Sequence, residues 1–416
     1  MSSRLGGRVE TPAGEPLRRG VAEGVLERLD APNIDLAAGD DGRAGHLIVV
    51  VGAGRDQVDW HCSTHGSSVV VDPVCPCSSA SSEFGRADRR EVSVVDPMDR
   101  RSGICVFSPG LRLMVTVEVG PNGEEIHLHP GGQGYWVARA IERLGESVVL
   151  CATAGGEVGE VLTQLMRSRQ GIELVAIMHE APSAVCIYDR RSGPLSLVAR
   201  SEAAPIDRHA VDELYSMTLS HAIGSDCCML AGNIDTGVLP PAFYGRLCTD
   251  LATLSVPVIT DLHGPELVEV IGSGTVQLVK LSDDDLRDDG LLTDDSDRAL
   301  VSAVSGLAER VPADLVVTLG TDRPAVARVG ADWFRITPPR LAAVDWRGAG
   351  DAMAGAIAVA YVRGLGSVDL LRLGAAAGAA SVSRRGLASL DTELVDALVP
   401  EIRVESARDA AAALAS

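Results

Sequence analysis

The sequence predicts an α/β protein built on a mainly parallel, doubly wound sheet flanked by helices. Two observations carry that expectation. Short β-branched runs, "CCMLAG", "VPVITDL", "VQLVKLS" and "DLVVTLG", recur between residues 227 and 320, and helical segments at "AFYGRLCTDLATL", "PELVEVI" and "ALVSAVSGLAERV" separate them. Strands that alternate with helices pair in parallel, because each crossover helix carries the chain back to the same end of the sheet. Hydrophobic residues make up 46% of the 416, enough to cover both faces of such a sheet.

Residues 1–103 stand apart as an irregular N-terminal extension. "GVAEGVLERLD" reads as a short helix and "HLIVVVGAG" as a strand, but no period is sustained. The segment is expected to be either disordered or an over-called start, with the functional chain beginning near Met98. Two motifs in it are decoys. "VVVGAGRDQ" opens like a dinucleotide-binding turn, yet its third glycine is missing and "VDWHCSTHG" makes a poor helix; the fingerprint needs both. His61, Cys62, His65, Cys75 and Cys77 are metal-ligand types. However, Cys75-Pro76-Cys77 has one intervening residue where zinc knuckles prefer two to four, so unpaired surface cysteines are the plainer reading.

From residue 104 the pattern is regular. "ICVFSPG" reads as a buried strand, and "LMVTVEV" alternates and pairs with "EEIHLH". In "GGQGYWVARAIERLG", Val137, Ala140, Ile141 and Leu144 fall at helical spacing, and Gly145 sits where a helix stops. "SVVLCATAG" is a strand, "GEVLTQLMRSRQG" a helix and "SAVCIYDRRSGPLSLVA" a hairpin. The hairpin-like segments break the alternation, so they are expected to form a small β lid, within about residues 112–129 and 184–199. The regular part runs to about residue 400, with a tail at 401–416.

The formal net charge is −20, and lysine occurs once, at Lys280. A sequence-independent nucleic-acid binder needs a basic face, so no nucleic-acid partner is expected. A small anionic ligand remains compatible with a local basic pocket. The start of the chain has no basic region followed by an apolar core of a signal peptide. The longest apolar run, Ala352–Val362, is too short to span a bilayer. Nine cysteines without a secretion signal suggest reduced thiols and a cytoplasmic protein.

The stretch "DWRGAGDAMAGAIAVAYV" carries the chemistry. A helix starting at about Ala349 places Gly348, Ala349, Gly350 and Asp351 in its first turn. Backbone N–H groups there lack intrahelical partners, and the helix dipole adds positive character. Glycines let an anion approach closely, so the turn suits a transferring phosphoryl group. Asp351 is then placed to accept a proton from an attacking hydroxyl. The alternative is Gly/Ala packing, with Asp351 an ordinary first-turn acid.

On these residues the chain resembles the ribokinase-like, PfkB-type carbohydrate kinases, in the phosphofructokinase and tagatose-phosphate kinase branch. That family's C-terminal signature is Asp, two residues, then Gly-Ala-Gly-Asp; here Asp345, Trp346, Arg347 and Gly348 to Asp351 match it. Its N-terminal Gly-Gly-x-Gly, followed by an amphipathic helix, matches Gly131, Gly132 and Gly134 with "VARAIERLG". "AGGEVG", "AGNIDTGVLPPAFYGRL", "ITDLHGPEL", "VKLSDDDL", "VTLG" and "GAASVSRRGLASL" follow in family order. The resemblance covers about residues 104–400. It implies a ribokinase-like fold, ATP and Mg²⁺ as cofactors, and phosphoryl transfer to a hydroxyl of a small sugar or sugar phosphate.

By that resemblance Asp351 is the general base, with Gly348, Ala349 and Gly350 its anion hole. Lys280, Ser282, Thr318, Gly320 and Asp322 are the nucleotide-side residues, and Asp285 organises Mg²⁺ through water; the alternatives are packing or charge pairing for Lys280 and a solvated acidic turn for Asp283, Asp284 and Asp285. The acceptor side comprises Arg112, Gly131, Gly132, Gln133, Gly134 and Trp136. A homodimer through the lid is a further implication. The acceptor shell departs from the family. Ser108 and Arg112 stand where Asn and a sugar-gripping Asp are usual, and Gln133 and Trp136 replace Lys and Asn. Trp346 and Arg347 are also departures. Arg112 and Arg347 either face an anionic acceptor, as Arg pairs well with phosphate or carboxylate, or face solvent. The acceptor is therefore expected to be non-standard. The rival reading is a non-catalytic nucleotide- or metabolite-binding protein on the kinase fold.

Overall fold

Strand residues from 104 onward alternate between two cores. Ile104 and Val106 pack into one, while Cys105 and Phe107 pack into the other. Cys227 and Met229 split from Cys228 and Leu230 in the same way. A strand apolar on both sides must lie inside a sheet covered on both faces. The computed structural model describes residues 46–51, 58–64, 67–69, 103–167, 171–193, 195–232, 237–294, 296–320, 323–341, 344–383 and 390–414.

The chain divides into two units, Met1–Arg100 and Arg101–Ser416. In the first, β1 (His46–Val51), β2 (Val58–Thr64) and β3 (Ser67–Val69) form an antiparallel sheet in the order β1-β2-β3. His61 and Cys62 lie on β2. The helix expected at "GVAEGVLERLD", and His65, Cys75 and Cys77, lie outside the described residues.

The second unit holds two sheets. Its strands are β4 (Ile104–Phe107), β5 (Arg112–Gly120), β6 (Gly123–Gly131), β7 (Val148–Gly155), β8 (Ile172–His179), β9 (Ala184–Asp189) and β10 (Ser196–Ser201). They continue with β11 (Cys227–Ala231), β12 (Val258–Asp261), β13 (Leu278–Ser282), β14 (Asp314–Thr318), β15 (Ala325–Val329), β16 (Asp332–Thr337) and β17 (Arg403–Ala407). The main sheet runs β17-β16-β15-β14-β13-β12-β11-β4-β7-β8. Neighbours from β8 to β14 are parallel, and β15, β16 and β17 add an antiparallel edge. The expected tail therefore contributes the edge strand β17, and Ala410, Ala413 and Leu414 beyond it are buried. β5, β6, β9 and β10 form the separate lid, ordered β10-β9-β5-β6.

Helices cover both faces. Gln133–Arg143, Ala349–Val362 and Ser367–Val382 contribute to one core. Arg208–Ile223, Ala242–Thr253 and Asp297–Arg310 contribute to the other. Each fully buried Leu or Ile adds roughly 1.5–3 kcal/mol, so two filled cores dominate stability. Helix Ala349–Val362 is buried all round from Ala352 to Ala360, as its apolar sequence predicts. A Cβ on Gly355 would lie 2.8 Å from Val137 O, so this helix seats tightly on Gln133–Arg143.

The order of strands reverses between β4 and β11: β7 and β8 lie on one side, β12 to β14 on the other. In open α/β sheets, ligands bind beyond the carboxyl ends of strands at such a switch point.

Candidate active site

The signature residues gather at those carboxyl ends. Ser108 follows β4, Asp261 ends β12, Ser282 ends β13 and Thr318 ends β14. Helix Ala349–Val362 begins there too. Its N-cap, Gly348, has φ 80°, a left-handed conformation that glycine adopts without strain. Ala352 N–H makes the first i→i−4 bond, to Gly348 O at 2.9 Å. The amides of Gly350 and Asp351 thus stand at the free end of the helix, where an anion is favoured.

Asp351 is half-buried at this turn. Burial pushes its carboxyl up to about 7, Asp261 and Asp285 push it the same way, and Lys280 opposes them. A carboxylate poised near neutrality is suited to accept a proton at physiological pH.

Lys280 is buried and donates to both carboxylate oxygens of Asp261, at 3.1 and 2.9 Å. The two residues face each other across neighbouring strands. Burial pulls the ammonium down, but Asp261 and Asp351 outweigh it and hold Lys280 above its ordinary value. Asp261 has no counterpart among the residues singled out from sequence. The signal was present: a lone lysine, and an Asp ending the adjacent strand. Gln133 Nε2 donates to Asp261 O at 3.2 Å, which ties the acceptor turn to the same strand end.

Asp285 closes a capping box on helix Asp283–Asp288. Its Oδ2 accepts from Ser282 N at 2.6 Å and from Ser282 Oγ at 2.7 Å, while Ser282 Oγ accepts from Asp285 N at 3.2 Å. Asp285 nevertheless acts electrostatically on Asp351, Asp261 and Lys280. Thr318 is half-buried, and Gly320 is exposed at φ 65°. Asp322 lies outside the described residues.

On the acceptor side, β6 ends at Gly131, and Gly132, with φ 105°, caps the helix that Gln133 opens. A Cβ on Gly134 would lie 2.3 Å from Ser108 Cβ, so the turn is pressed onto the end of β4. Arg112 is buried, with Nη1 3.5 Å from Cys186 Sγ. Arg347 donates through Nη1 to Leu195 O at 3.1 Å and lies 5.9 Å from the Tyr188 ring. Neither arginine simply faces solvent. Trp136 is half-buried, packed against the core and edge-on to Tyr135 at 4.8 Å. Trp346 is 60% exposed. Arg190 Nη2 donates to Asp345 Oδ2 at 2.6 Å, a contact that no local pattern announced.

Fold and turn together define a ribokinase-like α/β protein with a free, glycine-capped helix N-terminus at its switch point. A family model described as pfkB family carbohydrate kinase matches residues 107–393, and the chain belongs to that family. It is a carbohydrate kinase. Among curated relatives, ATP-dependent 6-phosphofructokinase isozyme 2 from Mycobacterium tuberculosis is 29% identical over 310 residues, which are 70% of this chain and 86% of the relative. The 1-phosphofructokinase of Vibrio cholerae is 23% identical over 286 residues, 67% of this chain and 87% of the relative. Phosphofructokinase-2 from Escherichia coli, solved in complex with potassium, superposes with a TM-score of 0.63 at 21% identity, over 72% of this chain and 98% of that one.

Proposed function

We propose that Asp351 takes the proton from a hydroxyl of a phosphorylated sugar, while the amides of Gly350 and Asp351 stabilise the phosphoryl group donated by ATP. The observation that carries this is a carboxylate pushed up to about 7 at the free N-terminus of a buried helix. Phosphoryl transfer asks mainly for positioning and charge stabilisation. Lys280, locked to Asp261, holds positive charge beneath the turn.

Mg²⁺ fits this site as a water-mediated ion. Three carboxylates, Asp261, Asp285 and Asp351, act on one another against a single ammonium, so the cluster carries an excess of negative charge. Carboxylate oxygens suit a hard cation that keeps most of its waters. Among the described residues no group of three or more is placed to hold a metal directly. Asp285 would hold Mg²⁺ through water, and the ion would neutralise charge on the nucleotide phosphates.

The acceptor is a sugar phosphate rather than a free sugar. Arg112 and Arg347 both act on the Tyr188 hydroxyl, so two guanidinium groups bear on one lid residue. The loss of the usual Asp and Asn argues against an ordinary hexose phosphate, since each unpaired hydroxyl costs roughly 1–3 kcal/mol. Trp136 and Gln133 line the changed pocket. The unit Arg101–Ser416 carries the activity in a reducing cytoplasm, in keeping with buried free thiols at Cys105, Cys151 and Cys228. Two subunits pair through the lid, whose Val119, Ile126 and Val198 are more than 60% exposed. The test is a panel of sugars and sugar phosphates scored by ATP consumption, with Asp351→Asn as control. Turnover of phosphorylated acceptors by the wild type alone supports the reading; tight ATP binding with no turnover of any acceptor contradicts it and favours a binding protein.

A further inference from the structure

The lid and the anion-hole turn are joined at two points. Arg190 follows β9 at the tip of the hairpin, and its backbone N–H is fixed to Val117 O at 2.8 Å. Its guanidinium reaches the main body and meets Asp345 at 2.6 Å; the two side chains are 12% and 5% exposed. Asp345 stands three residues before the N-cap Gly348, and its Oδ1 accepts from Arg347 N at 3.3 Å. Arg347 in turn donates to Leu195 O, at the other side of the same hairpin tip. The segment leading into the anion hole is therefore gripped from both sides of one lid turn.

The same lid is continuous with the acceptor turn. β9 pairs along β5, from Arg112 to Val117, and β6 runs back along β5 to end at Gly131. The hairpin tip and the acceptor turn thus belong to one hydrogen-bonded sheet. A desolvated charge pair cannot be half-broken cheaply, which makes the contact two-state rather than elastic.

We infer that Arg190, assisted by Arg347, is a positioning residue: it latches the lid to Asp345 and so holds the anion-hole turn in place. The inference rests on the kinase reading above. Arg190 does not touch the reacting atoms; it acts through Asp345 on the backbone of Gly348 to Asp351. Small misplacement of such a turn is enough to cost much of the rate.

The test compares the full chain with Arg190→Gln, Arg190→Lys and the double variant Arg190→Gln/Asp345→Asn, which leaves no unpaired buried charge. Amide hydrogen exchange is followed at residues 190–195 and 345–351. Faster exchange at both segments in Arg190→Gln and in the double variant, with partial recovery in Arg190→Lys, is expected. Unchanged exchange at 345–351 overturns the latch, whether or not an acceptor is turned over, so this readout stands apart from the kinase reading. On an accepted sugar phosphate, kcat should fall roughly 10²-fold with the KM for ATP little changed. A lowered Tm with kcat intact makes the pair merely structural and overturns the inference.

Discussion

Lys280 Nζ lies 2.8 Å from the point that a Cβ on Gly350 would occupy. On the proposed mechanism the glycine is needed for two reasons at once. It leaves the backbone open to an anion on one side, and it leaves room for a buried ammonium on the other.

Gly350→Val is expected to displace Lys280 from its contact with Asp261 and to block the approach of phosphate to the helix end. Turnover should fall roughly 10²–10³-fold, the scale of losing an oxyanion-type donor. ATP affinity should fall with it. Calorimetric titration and steady-state rates check both; a variant that binds ATP normally would place the phosphate elsewhere.

Lys280→Met separates the charge from the space it fills. It leaves Asp261 buried and unpaired, so stability should drop by about 3–5 kcal/mol in denaturant titrations. Asp261→Asn/Lys280→Met should recover most of that loss, because neither charge is then stranded. Failure of the double variant to recover would mean that the pair acts through packing.

The pH profile follows from Asp351. A base must be ionised to work, and this one is held up near 7 chiefly by burial, then by Asp261. For the free enzyme, kcat/KM should therefore fall as pH drops through about 7. Asp261→Asn removes a negative neighbour, so Asp351 ionises more easily and the limb moves to lower pH. A limb at about 4, the ordinary carboxylate range, would contradict the assignment.

The same displacement has a stability signature that needs no substrate. Asp351 binds its proton more tightly folded than unfolded, so ionisation opposes folding. Asp351→Asn should raise Tm relative to wild type, most at pH above about 7. The gap should shrink as pH falls towards the unfolded value of about 4, where both forms are neutral. A constant gap across that range would show that the carboxylate is not strained by burial.

Much of this was legible in sequence because it is local. Alternation gave the parallel sheet, and small-apolar composition gave a helix buried on all sides, beginning at Ala349. What escaped is long-range. Asp261 and Lys280 are 19 residues apart and meet only because β12 and β13 are in register. Arg190 and Asp345 are 155 apart and meet through the lid. β15 and β16 escape as well: Arg328, Arg335 and the flanking Gly330 dilute the apolar pattern, and the carbonyls that accept from the two arginines lie far along the chain. Lys280 stands out in sequence as the one lysine, but its bidentate contact with Asp261 is visible only in the structure.

Residues 101–416 form their own unit, and every signature lies within it. Expressed alone, that unit should keep the ATP affinity and the Tm of the full chain. A large loss of either would show that the first hundred residues contribute to the kinase.

The most direct test is turnover by Asp351→Asn on any sugar phosphate that the wild type accepts. The substitution keeps the side chain's shape and leaves the backbone amides of the anion hole in place. Turnover should fall roughly 10²–10⁴-fold, the contribution of a positioned general base, while ATP affinity changes little. Near-wild-type turnover by this variant would show that Asp351 is not the base and would contradict the account.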